Sequence, residues 1–212
     1  MISYRRRLPH LYYENSPVFV TWRMHFSLPQ PFVIQMKTQK DQFEAQIQQL
    51  SDDYQNLQRY QFAKKQFDQL DDLYATNPNF PQLLNSPEIQ KIVADSLAYK
   101  DGLKYSLHAY CIMPNHVHML ITPFCEASSI SSALGKITQS IKGFTAHEIN
   151  RLLKREGQFW NKESYDHYVR NDDEYLRIVK YICFNPVKAG MTKEWRDWHG
   201  TWVESGLEED VY

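Results

Sequence analysis

The chain has 212 residues, of which 42% are hydrophobic, and a formal net charge of −1 at pH 7. That length suits one compact domain with a core and an appendage. No apolar run reaches the roughly 20 residues that cross a membrane, and the start, Met1-Ile-Ser-Tyr-Arg-Arg-Arg, lacks the apolar stretch of a signal peptide. We therefore expect a cytoplasmic protein with no membrane partner and with three reduced cysteines.

Positive charge is unevenly distributed along the chain. Residues 1–36 hold four arginines against one acid, and residues 130–196 hold twelve basic residues against eight acids. Residues 37–101 are acidic, with ten acids against seven basic residues. A modest basic surface is therefore compatible with a neutral total, although composition alone slightly favours charges scattered over a solvated surface.

The first 16 residues are basic and aromatic, and they include Arg5, Arg6 and Arg7. Such an arm can order on nucleic acid, with arginines on phosphates and aromatic rings on bases; a disordered terminus is the alternative. Apolar and β-branched residues then predict a first strand over 18–27, which prolines stop.

The next segment is rich in glutamine, with eleven glutamines between Gln35 and Gln69 and neither glycine nor proline from residue 32 to residue 77. Apolar residues recur in a heptad-like stripe, which predicts one long helix or a helical hairpin. The stripe comprises Phe43, Ile47, Leu50, Tyr54 and Leu57. Its role stays open between core packing, dimerisation and DNA contact. A helix with a serine cap and a proline at its first position follows, from residue 87 to about 99.

Two strands over 104–113 and 116–123 are predicted to form a hairpin through Pro114 and Asn115. Because successive side chains of a strand point to opposite faces, His116 and His118 share a face. Two imidazoles at this spacing can both face one divalent cation. Neutral imidazole suits several metals, so the pair alone does not name the ion.

A long helix over 128–155 is predicted next, with Lys136, Lys142 and Arg151 on its polar side. This basic stripe could follow a phosphate backbone or could be an ordinary solvated helix face. A short strand over 165–169 precedes a last helix over 173–190, whose end Pro186 and Gly190 mark.

Tyr181 and Asn185 are four residues apart on this last helix and therefore lie on one of its faces. A phenol and an amide oxygen there could face the histidine pair, as a nucleophile and as a third metal ligand. The rival nucleophiles are Tyr165 and Tyr168, which we expect to share a face of the short strand.

The order of elements predicts an α+β protein. Once a helical insertion is removed, the order is β-α-β-β-α-β, the ferredoxin-like arrangement with a four-stranded antiparallel sheet, followed by an extra C-terminal helix that carries the nucleophile. We expect a single domain over 1–212, with a helical insertion over 36–85 and a C-terminal tail over 191–212 whose tryptophans fold back on the domain or over the DNA site. The fold supports many functions, so the site must supply the reaction.

Several of these segments resemble those of one family. The segments are Met113-Pro-Asn-His-Val-His118, Phe159-Trp160, Tyr165-Asp-His167, Arg170, and Tyr181 through Asn185-Pro-Val-Lys-Ala-Gly190. Together they are similar to the REP-associated tyrosine transposases, cousins of the single-tyrosine HUH insertion-sequence transposases, in which U is a hydrophobic residue. The start from Arg5 to His10 resembles that family too. The resemblance covers about residues 4–27 and 86–199, and the segment 36–85 departs from it.

The resemblance implies roles for named residues. His116 and His118 would be the HUH metal ligands, Asn185 would complete the metal site, and Tyr181 would be the nucleophile. The implied metal is Mg²⁺ or Mn²⁺, and two histidine ligands favour a softer ion than Mg²⁺. DNA contacts are expected from Arg5, Arg6, Arg7, Lys136, Lys142, Arg151, Arg170 and Lys188.

The implied activity is cleavage and rejoining of single-stranded DNA through a covalent 5′-phosphotyrosine, by a monomer or a homodimer. The implied substrate is a palindromic hairpin with a short flanking tetranucleotide. A hairpin-binding protein that does not cut is the first alternative. An unrelated metallohydrolase, in which the histidines activate water, is the second.

Overall fold

The computed structural model describes residues 16–26, 28–126 and 129–211. The arginines at positions 5, 6 and 7 therefore lie outside the described residues. Within the described part, residues 26–74 form one compact unit, and residues 16–25 together with 75–211 form a second. The two units are described separately below.

The first unit contains two helices, α1 (Gln30–Ile47) and α2 (Asp52–Thr76). They run antiparallel, because Phe43 stacks on Phe62 with ring centroids 4.1 Å apart and Arg59 lies 3.0 Å from the carboxylate of Glu44. The glutamine-rich segment therefore forms a helical hairpin, one of the two forms that its pattern predicted.

The heptad-like stripe is not a buried seam of this hairpin. Three of its members, Leu50, Tyr54 and Leu57, are 42%, 64% and 47% exposed. The chain leaves helical geometry between α1 and α2, and this turn breaks the heptad spacing. Pro31 lies in the first turn of α1, where a missing N–H costs nothing.

The second unit is built on a five-stranded antiparallel sheet. The strands are β1 (Val18–Met24), β2 (Tyr105–Ile112), β3 (His116–Pro123), β4 (Trp160–Tyr168) and β5 (Thr201–Val203), in the order β4-β1-β3-β2-β5. The helices are α3 (Pro87–Lys100), α4 (Ile130–Leu152) and α5 (Asp172–Lys188). Short 3₁₀ turns lie at Leu83–Asn85 and Trp195–Asp197.

Strands β1 to β4 with α3 and α4 form the predicted ferredoxin-like arrangement, so the fold class is confirmed. The sheet has one strand more than predicted, because β5 pairs with the outer edge of β2. There the ring of Trp202 stacks on Tyr110, with centroids 5.8 Å apart. The indole N–H of Trp198 donates to the carbonyl of Ile112 over 3.0 Å. The tryptophans after α5 therefore lie against the sheet.

The sheet has two chemically different faces. Directly paired residues of antiparallel strands share a face, so His118, Thr21 and Tyr165 lie together on what we call the histidine face. Helix α5 covers this face and contacts β2, β3 and β5. Helices α3 and α4 cover the opposite face, called the apolar face, which carries Val117 and Met119.

Among the element boundaries that differ from the prediction, two bear on the site. Strand β4 begins at Trp160 rather than Tyr165, because the indole N–H of Trp160 donates to Thr145 of α4 over 2.9 Å and fixes the strand's start. Helix α5 continues through Pro186 to Lys188, so this proline lies inside the helix. Among the described residues, no helix is both long enough and apolar enough to cross a membrane.

Candidate active site

The histidine pair lies at the start of β3, the central strand of the sheet. Both His116 and His118 are 0% exposed, and their ring centroids are 4.7 Å apart. One ring nitrogen of each histidine lies within 4.8 Å of one nitrogen of the other. The spacing predicted from strand alternation is present, and both rings can reach a single cation placed between them.

Each histidine is held by a side chain that binds its Nδ1 atom. The Nδ1 of His116 lies 2.7 Å from Oδ1 of Asn115, in the β2–β3 turn. The Nδ1 of His118 lies 2.8 Å from Oγ1 of Thr21, its direct partner on β1. An amide oxygen only accepts, so this contact fits a His116 ring protonated on Nδ1. This directs the lone pair of Nε2 toward a ligand.

Sequence reasoning assigned no role to Asn115 or Thr21. Asn115 could have been noticed, because it stands next to His116 in a tight turn. Thr21 gives no local signal, because it is 97 residues from His118 along the chain. Only the β1–β3 register brings the two side chains together.

Asn185 reaches the histidine pair from α5. Its Nδ2 lies 3.2 Å from Nε2 of His118, and the side chain is 4% exposed. In this orientation the amide donates to the lone pair of Nε2, an arrangement that fits a His118 ring protonated on Nδ1. Rotating the amide by half a turn would present Oδ1 at the same place. Asn185 therefore lies beside the histidine pair, as its position on the helix predicted.

Tyr181 lies one turn before Asn185 on the same face of α5. Its ring meets His118 edge to face, with centroids 5.4 Å apart. It also meets Phe19 of β1 edge to face, with centroids 5.8 Å apart. The side chain is half-buried, so a phenol fixed by two rings lies beside the histidine pair and retains access to solvent.

The start of α5 is tied to β4 by a capping arrangement. The side chain of Asn171 accepts a hydrogen bond from the backbone N–H of Glu174 over 2.9 Å. The carboxylate of Glu174 accepts from the backbone N–H of Arg170 over 2.9 Å and lies 3.0 Å from Nε2 of His167. These bonds fix where α5 begins, and the helix carries that position to Tyr181 and Asn185.

The rival tyrosines lie on different faces of β4, so the expectation that they share one is wrong. Tyr165 pairs with Thr21 and is on the histidine face, whereas Tyr168 pairs with Val18 and is on the apolar face. Residues three apart on a strand point in opposite directions. Tyr165 lies near the site, with its ring centroid 6.3 Å from that of Phe19.

The predicted DNA-binding cations of α4 do not join this site. Lys136, Lys142 and Arg151 lie on the helix that covers the apolar face. Arg151 pairs with Glu148 on the same helix. The ammonium of Lys142 donates to the carbonyl of Lys162 over 2.9 Å, and burial lowers its pKa to about 8.

Two other predicted cations flank α5. Arg170 precedes the helix, and Lys188 is its last residue, three positions after Asn185. Both residues are exposed. Their positions bracket the helix that carries Tyr181, but the structure does not place either beside the histidine pair.

Comparison with known proteins finds a family that resembles part of the chain. Residues 83–184 match the sequence profile of the family described as "Transposase IS200 like". This segment contains β2, β3, α4, β4 and most of α5, and with them the histidines and Tyr181. This segment, just under half of the chain, is similar to the IS200-like transposases.

The chain is also similar to REP-associated tyrosine transposases. It is 32% identical over 94 residues to the one of Escherichia coli K12, which covers 44% of this chain and 52% of the relative. It is 28% identical over 109 residues to a Haemophilus influenzae protein provisionally given that name, covering 49% of this chain and 62% of the relative. The chain thus spans between half and two thirds of the length of these curated relatives.

A solved structure has the same fold. It is described as a REP-associated tyrosine transposase bound to a REP hairpin, and it matches all of this chain and 88% of its own with a TM-score of 0.50. The sequence identity is 16%, so this likeness concerns the fold. The suspected resemblance to REP-associated tyrosine transposases is confirmed by these matches taken together.

Proposed function

We propose that this chain is a metal-dependent transposase that cuts and rejoins single-stranded DNA through Tyr181. One observation carries the proposal: a single rigid helix holds a half-buried phenol and an amide against a buried histidine pair. Fixing nucleophile and ligand on one element sets their separation before substrate arrives. The similarity of residues 83–184 to the IS200-like transposases supports the same reaction class.

The residues present fit a divalent metal. Both histidines direct an Nε2 lone pair toward the site, and the amide of Asn185 can add an oxygen. Two imidazoles and one amide suit Mn²⁺ better than Mg²⁺, which prefers oxygen ligands. A metal held by His116, His118 and Asn185 would polarise the scissile phosphate and stabilise charge on its oxygens.

The step assigned to Tyr181 is an in-line displacement at phosphorus. The phenol oxygen forms a bond to phosphorus, the P–O3′ bond breaks, and the 3′ oxygen takes up a proton as it leaves. An ordinary phenol has a pKa near 10, so Tyr181 must lose its proton in order to attack. In the proposed step this proton passes to solvent. The 5′-phosphotyrosine keeps the bond energy, so a second 3′-hydroxyl can reverse the step as strand transfer.

The substrate proposed is single-stranded DNA that folds into a palindromic hairpin. The support is the solved relative, which is described as bound to a REP hairpin. Phosphate contacts are assigned to Arg5, Arg6 and Arg7 of the N-terminal arm, with Arg170 and Lys188 beside α5. Lys136, Lys142 and Arg151 are kept as more distant contacts.

Covalent trapping tests this proposal. Wild-type protein mixed with a labelled hairpin oligonucleotide and Mn²⁺ should give a protein–DNA adduct that survives denaturation, and Tyr181→Phe should give none. Tyr165→Phe is the matched control, because it removes a phenol from the same face of the sheet and should leave the adduct. If wild-type protein binds the hairpin yet never forms an adduct, the chain is a hairpin-binding protein that does not cut.

A further inference from the structure

The two side chains that bind the histidine Nδ1 atoms come from separate parts of the chain. Asn115 belongs to the β2–β3 turn, and its backbone carbonyl accepts from the N–H of Met24 over 2.8 Å. Thr21 belongs to β1 and lies opposite His118 in the β1–β3 register. Both are enclosed, at 1% and 0% exposed. Neither faces solvent, so water does not exchange freely for these hydrogen bonds.

A neutral imidazole carries one proton on either of its nitrogens, and its partners decide which one. Near a histidine pair this choice matters, because a ring protonated on Nε2 points a hydrogen rather than a lone pair at the ligand. The Oδ1 of Asn115 accepts only, so it selects Nδ1–H on His116. On His118, the amide N–H of Asn185 at Nε2 selects the same form. The hydroxyl of Thr21, which can donate or accept, then accepts from Nδ1–H.

We propose that Asn115 and Thr21 are positioning residues, which fix both histidines as the Nδ1–H tautomer and so direct both Nε2 lone pairs at one cation. This inference rests on the proposed metal site. It assigns the metal affinity of the site to two residues that would not touch the metal. Their separate origin ties that affinity to correct closure of the turn and correct pairing of β1 with β3.

The first test reads the tautomers directly in metal-free protein. Long-range nitrogen–proton correlation spectra distinguish a protonated from an unprotonated ring nitrogen at each histidine. The expected result is Nδ1–H on both His116 and His118. A proton on Nε2 of either ring in wild-type protein overturns the assignment for that histidine, whatever the enzyme does with DNA.

The second test measures the affinity for Mn²⁺ alone, without DNA. Asn115→Leu and Thr21→Val remove the acceptor at similar volume, and each should weaken Mn²⁺ binding by about 10- to 100-fold, as removal of a ligand's hydrogen-bond partner does elsewhere. Asn115→Asp and Thr21→Ser keep an acceptor oxygen and should restore most of the affinity. A purely structural role would not be rescued in this pairwise way.

The outcomes separate this inference from the proposed function. If wild-type protein binds Mn²⁺ and His116→Ala does not, while Asn115→Leu and Thr21→Val bind like wild type, the positioning role is wrong and the metal site stands. If wild-type protein and His116→Ala bind Mn²⁺ equally, the metal site itself is wrong. A variant that fails to fold, seen by its amide spectrum, leaves the wild-type tautomers to decide.

Discussion

The two faces of β3 are equally buried and chemically opposite. Val117 and Met119 on the apolar face, and His116 and His118 on the histidine face, are all 0% exposed. An apolar side chain needs only close packing, whereas a buried imidazole must have its nitrogens hydrogen-bonded. On one face alone, Asn115 and Thr21 bind the two Nδ1 atoms and Asn185 binds Nε2 of His118. Burial therefore does not distinguish core from site in this protein, and the polar partners do.

The largest expected effect comes from replacing neighbouring residues of β3 that lie on opposite faces of the sheet. His118→Ala should abolish cleavage and leave hairpin binding largely intact, because it removes a proposed metal ligand and no proposed phosphate contact. Met119→Ala should lower the free energy of unfolding by about 2–5 kcal/mol, as buried large-to-small changes do, while the folded fraction cleaves at the wild-type rate. Denaturant unfolding and single-turnover cleavage measure the two quantities.

These two substitutions contradict the distinction between the faces if their effects on cleavage and on stability do not separate. Wild-type cleavage by His118→Ala, with metal removed by a chelator and then restored, would take the histidine out of the mechanism. Equal losses of cleavage per folded molecule in both variants would mean that the faces act together. His116→Ala provides a second case on the histidine face and should behave like His118→Ala.

An intermediate effect is expected from the predicted DNA-binding cations. Replacing Arg5, Arg6 and Arg7 with alanine should weaken hairpin binding and reduce the slope of log affinity against log salt by about 0.7–0.9 for each phosphate that the arm no longer neutralises. The matched variant replaces Lys136 and Arg151 on α4, and it should change affinity without changing the cleavage rate of bound DNA. Salt titrations of binding provide the measurement. An unchanged slope in the arginine variant would mean that Arg5, Arg6 and Arg7 do not contact phosphates.

The smallest expected effect concerns Lys142, which joins α4 to β4. Burial lowers the pKa of this lysine to about 8 from 10.5, although Glu163 opposes the shift. Between these values the unfolded chain holds a proton that the folded chain has lost, so this group makes the free energy of unfolding rise with pH. Lys142→Met should abolish that rise, which is at most on the order of 1.4 kcal/mol per pKa unit before solvent screening.

The Lys142 effect is read as a difference between wild type and Lys142→Met, measured by denaturant unfolding from pH 8 to pH 10.5. The difference is needed because burial raises the pKa of Cys183 to about 12, and that group lowers stability as pH rises above 9. Both proteins retain Cys183, so its contribution cancels. A difference that stays flat with pH would mean that the ammonium of Lys142 is not desolvated.

Local periodicity predicted much of the sheet unit. Strand β3 begins at His116 and ends at Pro123 as predicted, because alternation and a Pro-Asn turn specify both its ends. The four-residue spacing of Tyr181 and Asn185 placed both on one face of α5. The length of strand β4 was underestimated, because the two consecutive exposed residues Lys162 and Glu163 interrupt the alternation of buried and exposed positions. Strand β5 has only three residues, too few for a period to show.

Features that depend on pairing between distant segments could not be predicted from the sequence. The bond between Thr21 and His118 depends on the β1–β3 register, which no local pattern encodes. The heptad-like stripe correctly predicted helices, but it did not predict which of its residues are buried. Its spacing was correct, but a turn between α1 and α2 divides it and leaves Leu50 and Tyr54 exposed. Periodicity reports which residues could share a face and does not report whether that face is buried.

The central claim is that the phenol beside the histidine pair is the nucleophile. Peptide mapping of the wild-type adduct, formed with a labelled hairpin and Mn²⁺ and then digested, tests this claim most directly. The account predicts that the nucleotide is attached to the peptide containing Tyr181, and that Tyr181→Phe leaves no modified peptide. A nucleotide on Tyr165 or Tyr168, or an adduct that persists in Tyr181→Phe, would contradict it.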